Sequence, residues 1–306
     1  MSSGEDQITA WFAVQRKLNA KDFPIGIGDD MAEVRLANGE TILITTDMML
    51  DGVHFDLKKT TLRRVGYKAM AVNLSDCAAM ATIPVAAVAA VALPKGFGQK
   101  ELKQIYRGIT EAVDKYNCPL IGGDITCWKG KEPFAINIAM LSKRAANKPV
   151  RRSGAKVGDC ICVTGSLGGS LYRRHLKFEP RVKEALKIAK MVTLHSMIDL
   201  SDGLSSDLNR ICRQSGVGAV IDAKLIPISK DARRSRSPLN SALNDGEDFE
   251  LLFTLSEKNC GKLLSKWDEP LVITCIGRIT VSRKLRIKMP NGEVRNLPSG
   301  GYDHLR

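Results

Sequence analysis

The chain has 306 residues, 44% of them hydrophobic and 26% charged, which fits an ordinary globular protein and excludes a disordered, collagen-like or coiled-coil chain. Its formal net charge of +13 favours polyanionic partners: nucleic acid, acidic lipid or phosphorylated small molecules. The most apolar run, Pro84 to Leu93, is about half the ~20 residues a membrane span needs, and MSSGEDQITAWF lacks a basic stretch leading into an apolar one, so neither a membrane nor a secretory signal is expected. In chain order, apolar spacing predicts a helix over 8–18 and a buried strand over 41–46, ending at Asp47. A helix follows over 62–82, then a strand from the break at Pro84 to Leu93, then a helix over 100–116. Residues 119–124 read as a short strand running into a glycine turn, and 134–141 as another strand.

The stretch from Lys143 to Gly158 is basic and rich in Gly, Pro and Ala, which puts a domain boundary near residue 150, giving domains 1–150 and 151–306. Beyond it come a strand into a glycine turn at 159–165 and helices at 180–191 and 204–214. Strands at 218–222 and 249–255, a helix at 257–266 and a strand at 271–277 complete the list. Alternating strands and helices in both halves argue for two α/β domains with mixed sheets. The eight cysteines, Cys77, Cys118, Cys127, Cys160, Cys162, Cys212, Cys260 and Cys275, form no CxxC pair and no framework spacing. That spacing argues against zinc and for reduced cytoplasmic thiols serving as small hydrophobes; Cys160 and Cys162 alternate onto one strand face.

No GxxxxGK[ST], GxSxG or HExxH motif occurs, and Gly26-Ile-Gly28-Asp-Asp-Met31 lacks the third glycine of a dinucleotide fingerprint. What recurs is aspartate beside glycine or a hydroxyl at element ends: Asp29-Asp30, Asp47, Asp76, Asp124, Asp199, Asp202 and Glu247-Asp248. Any one such aspartate is more often a helix cap or turn residue, the reading kept for Asp207 and Asp222. Several together are costly unless a cation intervenes. Mg²⁺, which takes carboxylate and phosphate oxygens, resolves that cost.

In this order GIGDD (26–30), TTDMMLDGVHF (45–55), AVNLSDCAAMATIP (71–84), IGGDIT (121–126), RSGAKVGDCICVTGSLG (152–168), MIDLSDGLSSDL (197–208), GEDFELLF (246–253) and GYDH (301–304) resemble the thiamine-monophosphate kinases, within the aminoimidazole-ribonucleotide-synthetase-like superfamily. The resemblance implies ATP-dependent phosphorylation of thiamine monophosphate by an enzyme whose N-terminal α/β domain pairs across a homodimer. Carried over, it implies that Asp30, Thr45, Thr46, Asp47, Asp76, Asp124, Asp199 and Asp202 surround several Mg²⁺ ions, with Asp47, Asp124 and Asp202 central to catalysis. It further implies that Tyr106, Gly123, Asp124, Arg152 and Ser201 contact ATP, and that His54, Glu247 and Tyr302 face the thiamine phosphate. The segment between Gly169 and Pro180 is shorter than the family pattern.

Two alternatives are weighed. Other superfamily members would want a reactive cysteine near one end, whereas the first here is Cys77 and the chain closes on His304-Leu-Arg306. A nucleic-acid-binding protein draws support from the charge and from Arg63-Arg64, Arg151-Arg152, Arg173-Arg174 and Arg233-Arg234. Aromatics at 5% and dispersed arginine clusters weigh against it, so no nucleic-acid partner is expected.

Overall fold

The computed structural model describes residues 4–15 and 18–305. After helix α1 (Gly4–Gln15), the first half builds a five-stranded sheet in the order β1-β2-β5-β3-β4. Its strands are β1 (Ala32–Arg35), β2 (Thr41–Leu50), β3 (Ile83–Leu93), β4 (Leu120–Cys127) and β5 (Ala135–Lys143). Helices α2 (Leu62–Ala79) and α3 (Gln99–Tyr116) belong to it.

The second half builds a seven-stranded sheet in the order β12-β11-β8-β10-β6-β9-β7. Its strands are β6 (Cys160–Thr164), β7 (Ser196–Asp199), β8 (Gly218–Asp222), β9 (Leu251–Leu255), β10 (Ile273–Thr280), β11 (Leu285–Lys288) and β12 (Val294–Asn296). Its helices are α4 (Val182–Met191), α5 (Leu204–Ser215), α6 (Pro238–Asn244) and α7 (Glu257–Lys266). Both sheets mix parallel and antiparallel pairs. Among the described residues no helix is long and apolar enough to cross a membrane.

Helix α2 is the keystone. Fifteen of its residues are buried, because it packs on β2 and β5 on one side and reaches α4 and β7 of the other sheet. A single apolar cluster therefore runs from Leu43, Met70 and Ile138 to Val182 and Phe253. Glycine allows the tight crossing of α2 on α3: a Cβ on Gly66 would lie 2.2 Å from the Ile105 carbonyl oxygen, and one on Gly108 would lie 1.8 Å from that of Arg63. The buried face also carries Lys68, Asn73 and Ser75. Polar groups inside a packed helix need partners; those of Lys68 and Ser75 lead to the cleft described next, whereas Asn73 donates to the Ala69 carbonyl of its own helix at 3.1 Å.

Three expectations change in detail. Strand β2 does not stop at Asp47 but continues to Leu50, so Asp47 is a mid-strand residue paired with Ile138. Gly122-Gly123 is not a turn: β4 runs straight through it, paired parallel to β3. The short elements β1, β7, α6, β11 and β12 have no counterpart in the predicted list, because three to seven residues carry too little period to read. Of the helix expected at 8–18, positions 16 and 17 fall outside the described residues.

Candidate active site

A cleft of about 430 Å³ opens where the two sheets meet over α2. Its floor is acidic. Asp47 comes from β2, Asp76 from the last turn of α2, Asp30 from the segment before β1 and Asp199 from the end of β7. One oxygen each of Asp30, Asp76 and Asp199 lie within 4.8 Å of one another. Thr45 donates its hydroxyl to Asp76, and Ser75 donates to Asp199 Oδ2 at 2.5 Å.

Burial and like charge set the electrostatics. Burial drives Asp76 well above the ordinary carboxylate range, and Asp47, Asp199 and Asp30 add repulsion. Asp199 is raised in the same way, by burial and then by Asp30. Burial pushes Asp47 up to about 6, opposed by its hydrogen bond with Asp76. One cation answers this floor directly: Arg152 grips Asp30, with Nη2 at 2.7 Å and Nε at 3.2 Å from its two oxygens. Asp29 positions it, accepting from the Arg152 amide at 2.7 Å and from Arg151 Nε at 3.0 Å.

The turn between β7 and α5 supplies Ser201 and Asp202. Asp207, in the first turn of α5, holds this turn by accepting from the amides of Asp202 and Gly203, at 3.2 and 3.0 Å; the N-cap is Gly203, so Asp207 keeps a structural role in the turn and not as the cap. Arg210 pairs with Asp202, Asp207 and Asp6. The C-terminal tail closes on the same turn: the Tyr302 amide donates to the Asp202 carbonyl at 3.1 Å. His304 then stands edge-on to Tyr302, with ring centroids 4.7 Å apart, and 5.2 Å from His54.

The other end of the cleft is built on Glu247, which sits with Gly246 in the left-handed region at φ 56° and 69°. A Cβ on Gly246 would fall 2.6 Å from the Ser201 carbonyl oxygen, so only glycine fits there. Lys68, 1% exposed, forms an ion pair with Glu247 and also donates to the His54 carbonyl at 2.8 Å. His175 Nδ1 lies 3.3 Å from the same carboxylate. Burial opposes the Glu247 charge, yet His175 and Lys68 outweigh it and hold its pKa below the ordinary value. Burial also lowers the His54 pKa. The Leu50 amide donates to His54 Nδ1 at 3.1 Å, which leaves the proton of the neutral ring on Nε2.

Residues 28–143 match the model of the AIR synthase related protein N-terminal domain, and residues 156–290 that of its C-terminal domain. The thiamine-monophosphate kinase of Rhodopirellula baltica is 36% identical over 92% of this chain and 91% of its own length. That of Escherichia coli K12 is 34% identical over 100% of this chain and 99% of its own. The chain belongs to the thiamine-monophosphate kinase family. Among solved structures, AaThiL complexed with AMPPCP and TMP superposes with a TM-score of 0.81 at 28% identity, covering 98% of this chain and 95% of that one.

Within this thiamine-monophosphate kinase fold, one chain gathers Asp30, Thr45, Asp47, Asp76, Arg152, Asp199, Ser201 and Asp202 with His54, Glu247 and Tyr302 around the cleft. It does not gather all the residues expected there. Register runs from Asp47 through Ile138 and Ala89 to Gly123, so Gly123 and Asp124 stand three strands away, about 14 Å at the usual strand spacing. They lie on β4, an edge strand exposed from Ile121 to Cys127. Tyr106, 56% exposed on α3, also lies outside the cleft. Thr46 borders the cleft, but its hydroxyl donates to Asn137 Oδ1 at 3.0 Å, on the strand face opposite Thr45.

Sequence reasoning missed Lys68, His175 and Arg210. A lysine amid the apolar run of α2 was a readable signal, since a buried helix face admits a charge only with a partner. Nothing in the spacing pointed to His175, which sits on the short 169–180 segment, inside the second of its two single-turn 3₁₀ helices (Arg174–Leu176).

Proposed function

We propose that this chain transfers the terminal phosphoryl group of ATP to thiamine monophosphate, giving thiamine diphosphate, and that it does so with Mg²⁺ as a cytoplasmic homodimer. The observation that carries this reading is the meeting in one cleft of a crowded hard-oxygen site, Arg152 and an aromatic pocket ending in Glu247. The buried carboxylates fit magnesium: their oxygens converge, burial and repulsion raise their pKa values, and a divalent cation relieves both. Asp30, Thr45, Asp47, Asp76, Asp199 and Asp202 would hold it. Bound there, such ions neutralise polyphosphate charge and hold oxygens for in-line transfer.

The acceptor is already a phosphate anion, so no strong general base is needed and positioning carries the catalysis. Arg152 adds a fixed positive charge beside the phosphates, and Ser201 a hydroxyl. His54 Nε2–H serves as a neutral donor to the acceptor phosphate. Glu247, kept ionised by Lys68, accepts from an aminopyrimidine, and Tyr302 covers a cationic thiazolium ring.

The homodimer explains the outlying residues. Ile44 and Met48 on β2 and Val88 on β3 share one face of the sheet and are 41–60% exposed, and Ile121 and Ile125 on the edge strand β4 are 65% and 61% exposed, apolar positions that a second copy would cover. Such pairing brings Asp124 of the partner subunit towards the carboxylate floor, completing a site that one chain leaves open. The eight free cysteines go with a reducing compartment.

The test is a product assay with ATP, Mg²⁺ and thiamine monophosphate, following thiamine diphosphate by thiochrome fluorescence. Metal-dependent product that disappears in Asp47→Asn is expected. A folded, ATP-binding chain that makes no thiamine diphosphate overturns the substrate assignment. Co-expressing Asp47→Asn with Asp124→Asn tests the shared site. About a quarter of wild-type activity should return, because about half the dimers are mixed and each mixed dimer holds one intact site. No return places Asp124 outside a shared site.

A further inference from the structure

Four cysteines meet on the α7 side of the second sheet, away from the cleft. Cys160 and Cys162 project from β6 on one face, Cys260 from α7 and Cys275 from β10, where it pairs in register with Cys162. Cys162 Sγ is 3.8 Å from Cys260 Sγ. The sulfurs of Cys160, Cys260 and Cys275 all lie within 4.8 Å of one another. A zinc–thiolate bond of about 2.3 Å in tetrahedral geometry puts neighbouring sulfurs about 3.8 Å apart, so Cys160, Cys260 and Cys275 already sit near that spacing, and Cys162, outside their group, reaches it to Cys260.

The surroundings suit such an ion. Cys160, Cys162 and Cys260 are at most 4% exposed and Cys275 is partly exposed, which leaves a closed site with one side open for entry. Strand β10 bulges between Cys275 and Gly277, a device that re-aims a side chain out of regular register. Arg278, also on β10 and paired in register with Cys160, is held by Glu257 of α7 at 2.5 Å. The sequence reading of these thiols as small hydrophobes rested on spacing along the chain. The ligands come from three elements, and no spacing rule connects them.

We propose that Cys160, Cys162, Cys260 and Cys275 bind one thiophilic divalent ion, Zn²⁺ by the softness of the four donors, as a structural cross-link of β6, β10 and α7. Each ligating thiol releases its proton to solvent, so affinity rises with pH. The ion lies outside the phosphoryl-transfer cleft, so the proposal stands or falls independently of the reaction assigned there.

The full-length chain, purified under reducing conditions from zinc-supplemented cells, should carry about one zinc per chain by elemental analysis. Cys260→Ser and Cys275→Ser should each carry less than about a tenth of that, whereas Cys127→Ser, at an exposed cysteine on β4, keeps it. A serine variant can lose the ion by unfolding, so Co²⁺ added to zinc-depleted wild type supplies a second readout. A thiolate-to-cobalt charge-transfer band with tetrahedral visible bands is expected, which the carboxylate cleft cannot produce. Three results overturn the proposal: reduced wild type with neither zinc nor the cobalt band, zinc retained in both serine variants, or two thiols missing from the metal-free chain, which would mean a disulfide instead.

Discussion

Asp248 and Glu250 are as deeply buried as Asp199, at 3%, 2% and 3% exposure, yet the two regions treat their charge in opposite ways. Glu250 accepts from Arg181 at 2.6 and 2.8 Å and from Thr164 at 2.7 Å. Asp248 accepts from Arg174 Nη2 at 2.6 Å, from the Gly168 amide at 2.7 Å and from Ser170. Burial still raises Asp248, but these partners limit it to about 6. In the cleft, Asp76 and Asp199 face other carboxylates and are driven well above the ordinary range. Arginine neutralises the carboxylates whose task is to hold the 168–181 segment in place. In the cleft Arg152 takes Asp30 and Arg210 takes Asp202, whereas Asp76 and Asp199 accept from hydroxyls, of Thr45 and Ser75, and in the proposed reaction a divalent cation would neutralise them.

The sharpest way to test that contrast is Asp76→Asn. Activity should fall by about three orders of magnitude or more, as for loss of a charge-neutralising group. Stability without metal should rise, by about 1–2 kcal/mol, since the change removes repulsion. A thermal midpoint that falls instead would place Asp76 among the structural acids. Glu250→Gln should do the reverse, costing about 3–4 kcal/mol because it leaves Arg181 buried without its partner. Denaturant unfolding reads this directly, and a loss below about 1 kcal/mol would contradict the structural role.

The smallest effect is in pH. Asp248 has a folded-state pKa of about 6, against 3.8 for the ordinary group, so the folded chain holds its proton more tightly. The stability this contributes is present below about pH 4 and lost as pH rises through 6, on the order of 2–3 kcal/mol. The difference in stability between wild type and Asp248→Asn should therefore change across that window and be flat from pH 7 to 8. Parallel curves throughout would mean that Arg174 cancels the burial cost completely.

Much of the fold was legible locally. Helices α2, α3, α5 and α7 and strands β3, β5, β6 and β8 follow apolar periodicity and fall close to their expected bounds. Glycine chemistry misled at Gly122-Gly123, where pairing to β3 overrides the turn preference; a Cβ on Gly123 would lie 1.9 Å from the Ala89 carbonyl oxygen. At the cleft, the motifs carried by the family resemblance had named Asp30, Asp47, Asp76, Asp199, Asp202, Arg152, His54, Glu247 and Tyr302, which line it. They could not show that Asp124 stands three strands from Asp47, or that Lys68 is the counter-ion of Glu247.

The sequence alone determined which residue types the chain brings together: hard-oxygen ligands beside glycines, arginines, alternating elements and an overall basic charge. Those are properties of residue type and short-range period, which survive in a linear string. Only the tertiary structure decided which carboxylates receive an arginine and which face one another, and which cysteines from β6, β10 and α7 share one point. Coulomb energy and ligand geometry depend on distances through space. Residues 179 positions apart, as Lys68 and Glu247 are, acquire theirs only when two sheets close over one buried helix.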